Sequence, residues 1–115
     1  MKLIFVCSPF SGDRDCNIQK ARGYCRFVMA QGHQPLAPHL HYPQFMEDAD
    51  PAQREQGLAF SRRLLALADE LWVFSGGMPS GGMAAEIAFA RELAKPILYY
   101  NDRCERIRRD TIKDG

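Results

Sequence analysis

Leu71-Trp72-Val73-Phe74-Ser75-Gly76-Gly77-Met78-Pro79-Ser80-Gly81-Gly82-Met83-Ala84-Ala85-Glu86 carries an apolar run into a glycine-rich turn and then into a helix-like segment ending near Lys95. A strand, a turn and a helix in that order make half of a parallel crossover unit. In parallel α/β sheets such turns gather at the carboxyl ends of the strands, where ligands bind. Four glycines fall between Ser75 and Gly82, more than a turn alone requires. Backbone without side chains approaches a phosphate closely, and the amides that open a helix donate to it.

Working outward, Leu3 to Cys7 is a second continuous apolar run closed by Ser8-Pro9, as expected of a strand covered on both faces. A helix is expected from about Asn17 to Gln31, where Ala21, Tyr24, Cys25, Val28 and Met29 recur at helical spacing and Gly32 is placed to end it. Gln34 to Ala37 reads as a short strand that Pro35 confines to a sheet edge. Pro38 to Pro51 reads as a long loop. Pro51 then opens a helix running to about Ala68, with Leu58, Leu64, Leu65 and Leu67 among its apolar members. The strand Leu71 to Phe74, a helix from Met83 to Ala94 and a strand from Pro96 to Tyr100 follow. The alternation β-α-β-α-β-α-β predicts a Rossmann-like, flavodoxin-like three-layer α/β sandwich, with a small parallel sheet of about four strands and helices on both faces. Residues 1–115 read as a single domain, and the charged tail from Asp102 to Gly115 as a surface helix that frays at its end. So small a sheet has edges that need cover, and self-association, most simply as a homodimer, is expected.

The chain has 115 residues, of which 46% are hydrophobic and 25% charged, and its formal charge is +1. Such a balance gives no broad electrostatic attraction to a nucleic-acid polymer or an anionic membrane. The apolar run after Met1 is too short for a signal peptide, and no stretch has the length of a membrane span. A cytoplasmic protein with a small-molecule partner is expected. Cys7, Cys16, Cys25 and Cys104 form no C-x-x-C pair and no zinc spacing, so they read as free thiols. No cofactor is expected.

Glu86 is the residue with the clearest chemical promise. With each helical residue set about 100° from the last, Met83, Ile87, Ala90 and Ala94 form a narrow apolar stripe, and Glu86 falls at its border. There it leans over the end of the sheet, in the early turns where the helix dipole favours an ionised carboxylate. Glu86 is thus a candidate nucleophile or base; the plain alternative is a surface glutamate serving the dipole alone. Ser80 can cap the helix or donate to a phosphate, and Gly81, Gly82 and Met83 complete that turn.

A second candidate cradle follows the first strand, at Ser8-Pro9-Phe10-Ser11-Gly12-Asp13-Arg14. It is neither G-x-G-x-x-G nor a P-loop. Phe10 can stack on a base or sugar and Arg14 can reach an anion. The two turns, on adjacent parallel strands, are expected to line one pocket. His39 and His41 form an H-x-H pair near Glu47, Asp48 and Asp50, but spacing fixes no third metal ligand. The plain reading of the pair is loop structure; His39 near the pocket is a candidate donor to substrate, and no metal site is expected. Asp69 begins the strand whose other end feeds the glycine turn, roughly 20 Å away at ~3.3 Å per residue, and is set aside.

Together these segments resemble the nucleoside 2-deoxyribosyltransferase superfamily, closest to its short, largely uncharacterised bacterial and phage branch. The resemblance covers about residues 1 to 100. It rests on the strand before Ser8-Pro9-Phe10, on Gly32 to His39 as G-x-x-P-x-x-P-H, on Ala68-Asp69-Glu70-Leu71-Trp72-Val73-Phe74, and on Ser80-Gly81-Gly82-Met83-Ala84-Ala85-Glu86-Ile87. The S-x-G-x-x-x-E spacing of the last is similar to that of the 2′-deoxynucleoside 5′-monophosphate N-glycosidases. By that likeness Glu86 attacks the sugar, while Ser80 and Gly82 contact phosphate.

The resemblance implies a carboxylate that displaces the base at the anomeric carbon, after which the glycosyl-enzyme passes to water or to another base. It also implies an aspartate eight residues before Asp69, where this chain has Ser61. The leaving base then needs another donor, such as His39 or Asp13. No fifth strand is evident; in the family such a strand often precedes residues donated to a partner's active site, and the resemblance leaves open whether Asn101 or Asp102 does this here. The competing expectation is a non-catalytic module that binds a nucleotide or nucleotide sugar; a third is an interaction protein with no ligand.

Overall fold

The computed structural model describes residues 1–107 apart from Ser11, Asp48 and Ser80. Strands β1 (Leu3–Cys7), β2 (Gln34–Leu36), β3 (Glu70–Phe74), β4 (Ile97–Tyr100) and β5 (Arg106–Ile107) form one sheet in the order β2-β1-β3-β4-β5. The first four are parallel, and β5 pairs antiparallel with β4 through Tyr99 with Ile107 and Tyr100 with Arg106. Three helices connect them: α1 (Arg14–Ala30), α2 (Pro51–Leu67) and α3 (Gly81–Glu92).

Side chains alternate between the two faces of a strand, and here both faces are apolar. Phe5, Cys7, Leu71, Val73 and Tyr99 pack with Leu65, Met83, Ile87 and Ala90 from α2 and α3. Ile4, Val6, Trp72, Phe74 and Tyr100 pack with Tyr24 and Val28 from α1. Tyr24 lies parallel to Phe74 with ring centroids 4.4 Å apart. Burial on both sides is why β1 and β3 read as unbroken apolar runs. The three-layer α/β sandwich expected from the sequence is the one observed.

Local chemistry sets the boundaries. The Asp13 carboxylate accepts from the Cys16 amide at 3.2 Å, so α1 starts at Arg14 rather than near Asn17. Gly32, at φ +84°, supplies the left-handed turn after α1. Asp50 accepts from the Ala52 amide, and Pro51 occupies the first turn of α2. The segment expected as a long loop contains two 3-10 turns, Pro38–Leu40 and Tyr42–Gln44, each with proline in its first two positions.

The tail differs from the helix expected over Asp102 to Gly115. Asn101 Oδ1 accepts from the Arg103 and Glu105 amides, and Cys104 takes φ +62°, turning the chain back into β5. A fifth strand therefore exists where none was evident, because a two-residue antiparallel strand leaves no periodic signal. Residues 108–115 lie outside the described residues. No described helix is long and apolar enough to cross a membrane.

Candidate active site

The strand order places a topological switch between β1 and β3. From β1 the chain crosses by α1 to β2 on one side, and from β2 it crosses by α2 to β3 on the other. Loops leaving the carboxyl ends of β1 and β3 therefore part, and a crevice opens between them. A cavity of about 380 Å³ lies there. Its size suits a small organic ligand.

Both turns singled out in the sequence reach this cavity. Phe10 and Arg14 come from the segment after β1, Gly81, Gly82 and Glu86 from the start of α3, and His39 from the first 3-10 turn. Neither Gly81 nor Gly82 would bring a Cβ within 4 Å of another group, so the backbone opening α3 stands clear.

Glu86 is 3% exposed although it lies in the cavity wall. Its Oε2 is 3.9 Å from His39 Nε2, and its Oε1 has no hydrogen-bond partner among the described residues. Burial pushes the carboxyl from 4.5 up to about 7, while Cys7 and Ser61 alongside it favour the ionised form and work against that rise. The reason it is buried lies in its position, one turn after Met83 and beside Ile87, both of which face the core. Burial also pushes the Cys7 thiol well above its ordinary range, and the carboxylate beside it adds to the effect.

Next to the carboxyl the wall is a ladder of flat groups. The Arg14 guanidinium lies 4.9 Å from the Phe10 centroid, and the Phe10 and His39 rings are 5.0 Å apart and tilted. Such a wall accepts an aromatic or sugar face. The H-x-H pair divides, because the His41 ring packs against Tyr42 and Phe45 instead. No group of three or more potential metal ligands comes together among the described residues.

Other sequence candidates stand apart from the wall. Ser8 is buried at 2% exposed, Gly12 forms a turn at φ +93°, Asp13 caps α1, and Met83 packs into the core. Ser11 and Ser80 lie outside the described residues. Asp69, set aside on distance, bonds the Leu3 amide at the opposite end of the sheet.

One contributor to the wall went unrecognised as a unit. Arg54, Gly57, Leu58 and Ser61 line the cavity from α2. Their spacing of i, i+3, i+4 and i+7 places them on one stripe, which was available to a helical reading. A stripe mixing a cation, a glycine, a leucine and a serine resembles neither an apolar face nor a catalytic motif. Tyr42 and Met46 join from the intervening loop, whose path no periodicity specifies.

The family described as Domain of unknown function (DUF7768) matches residues 2–100. No curated protein matches the sequence. Among solved structures, a 2-deoxyribosyltransferase from Bacillus psychrosaccharolyticus is 20% identical, with TM-score 0.67 over 92% of this chain and 77% of its own. The Clostridium botulinum CMP N-glycosidase BcmB is 18% identical, with TM-score 0.55 over 87% of this chain and 69% of its own. A 2-deoxyribosyltransferase from Leishmania mexicana is 17% identical, with TM-score 0.61 over 88% of this chain and 65% of its own. At these identities the likeness is one of fold, shared with two 2-deoxyribosyltransferases and a CMP N-glycosidase.

Proposed function

We propose that this chain, which belongs to the DUF7768 family, cleaves the base–sugar bond of a nucleoside or deoxynucleoside 5′-monophosphate, as an N-glycosidase or deoxyribosyltransferase with Glu86 as nucleophile. The observation that carries the proposal is the burial of Glu86 in the wall of the cavity between the two parting loops, with one carboxyl oxygen lacking a partner among the described residues. A buried carboxyl oxygen left without a partner costs about 1–3 kcal/mol, a cost that packing alone gives no reason to keep. The folds it shares with a CMP N-glycosidase and two 2-deoxyribosyltransferases support the same chemistry.

In this scheme the amides of Gly81 and Gly82, with Ser80, receive the 5′-phosphate at the start of α3, and the Arg14 and Arg54 side chains add positive potential. Phe10 offers its ring to the nucleoside. Glu86 then displaces the base at the anomeric carbon, forming a glycosyl-enzyme that passes to water or a second base.

Incubation with mixed deoxynucleoside 5′-monophosphates and chromatographic detection of free bases tests this directly. Base release by the parent protein and its loss in Glu86→Gln are expected. The serine at position 61, whose hydroxyl supplies no negative charge beside Glu86, favours a second reading as a nucleotide-binding module without turnover. That reading predicts no free base while a nucleotide still raises the melting temperature.

A further inference from the structure

We infer that His39 and Glu86 act as a proton-relay pair, in which a proton leaves the Glu86 carboxyl for His39 and is delivered from His39 to the departing base. The inference rests on the glycosyl-transfer reading above and specifies how the site manages its proton.

The geometry begins with the need of a nucleophilic carboxylate, buried in the cavity wall, to shed its proton. Several polar groups come near Glu86 or share its cavity. Cys7 approaches from β1, Ser61 and Arg54 belong to α2, Arg14 to α1, and Glu47 and His39 to the loop segment after β2. A thiol whose proton is held more tightly by burial is a poor acceptor, and so is a serine hydroxyl. Arginine has no site for a proton, and Glu47 is a second acid. The His39 imidazole is the group suited to accept, and its Nε2 is 3.9 Å from Glu86 Oε2. Catalytic contacts commonly stand slightly long before substrate arrives and tighten around it.

His39 is also held for the second transfer. It follows buried Pro38 in a 3-10 turn, its ring packs on Phe10, and it is part of the cavity wall. The imidazole therefore meets Glu86 and the cavity at once. A raised Glu86 carboxyl, at about 7, leaves the proton easily exchanged with an imidazole.

The step balances. Glu86 gives its proton to His39; a carboxylate oxygen bonds to C1′ as the C1′–N bond breaks, and that electron pair stays with the base. The imidazolium returns a proton to a base nitrogen. In the second half, neutral His39 takes a proton from the water whose oxygen displaces Glu86 from C1′, and that proton passes back to Glu86. No metal or external oxidant is involved.

Two substrates separate the roles. One is the deoxynucleoside 5′-monophosphate that the parent cleaves fastest; the other is 4-nitrophenyl 2-deoxyriboside 5′-phosphate, whose leaving group needs no proton. In His39→Ala and in the size-matched His39→Gln, base release at about pH 7 is expected to fall roughly 100-fold or more, while the first-turnover burst of nitrophenol at about pH 8, where Glu86 is already ionised and water attack does not yet limit the rate, stays within about threefold. Equal losses on both substrates, or none on either, overturn the relay. A second measurement is independent of turnover: the titration midpoint of the His39 Cε1 proton, followed by NMR, is expected to move down in Glu86→Gln, and an unchanged midpoint also overturns it. A parent protein that cleaves neither compound overturns the proposed function itself, and the relay with it.

Discussion

Asp69 Oδ2 accepts a hydrogen bond from the Leu3 amide at 2.7 Å, joining the start of β3 to the start of β1 at the sheet end away from the cavity. The contact is structural, and the two ends of one strand thereby carry separate duties. Asp69→Ala is expected to lower unfolding stability by about 1–2 kcal/mol in denaturant titration while leaving kcat/KM unchanged. A loss of activity in a fully folded Asp69→Ala protein would contradict this division.

Glu86 carries the opposite relation to stability. Its carboxyl titrates near 4.5 when exposed and at about 7 in the folded protein, so the unfolded chain ionises first as pH rises. The stability this group leaves intact at low pH is therefore lost between about pH 4.5 and 7, by roughly 3 kcal/mol. Glu86→Gln removes the effect. Melting curves of the two proteins are expected to converge near pH 4 and diverge toward pH 8, with the variant higher. Parallel pH profiles would show that the carboxyl is not held in its protonated form.

The relay needs the Glu86–His39 pair to hold one proton, so kcat/KM for base release is expected to climb with pH toward about 7 and to fall again above it as the pair loses that proton. A flat profile from pH 5 to 8 would argue against a carboxylate nucleophile in this burial. Glu86→Gln itself is expected to lower base release by roughly 1,000-fold or more.

Gly82 offers a test in which fold and function move in opposite directions. A Cβ there meets nothing within 4 Å, and the residue lies in the first turn of α3 without positive φ. Gly82→Ala is expected to raise stability by about 0.4–1 kcal/mol through the unfolded chain, while KM for a nucleoside monophosphate rises about tenfold. An unchanged KM would remove the turn from the binding site.

Much of the architecture was legible because β1 and β3 are covered on both faces, so their apolar runs are unbroken and their turns punctuate clearly. Pro35 marked β2 as marginal for a chemical reason, the missing amide, and the strand lies at the sheet edge. Helix spacing brought Glu86 to notice through its place beside Met83 and Ile87. What stayed hidden depends on tertiary encounters. Arg54, Gly57 and Ser61 acquire meaning only once α2 lies against the cavity, and His39 separates from His41 only through the tight turn that Pro38 begins. The strand β5 depends on side-chain acceptors of Asn101, which no hydrophobic period reports.

The short β5 has a consequence for how copies of this chain can meet. It occupies the flank of β4, and the other margin of the sheet is the three-residue β2 with a proline at its middle. Among the described residues neither border presents a long run of free backbone groups for another molecule to extend, which disfavours fibril-like growth by strand addition there. Assembly would have to proceed through helical surfaces such as the one bearing Phe60 and Leu67, which are 37% and 67% exposed. Sedimentation of Leu67→Glu beside the parent is expected to show a weaker tendency to associate, and identical behaviour would direct attention to a different flank.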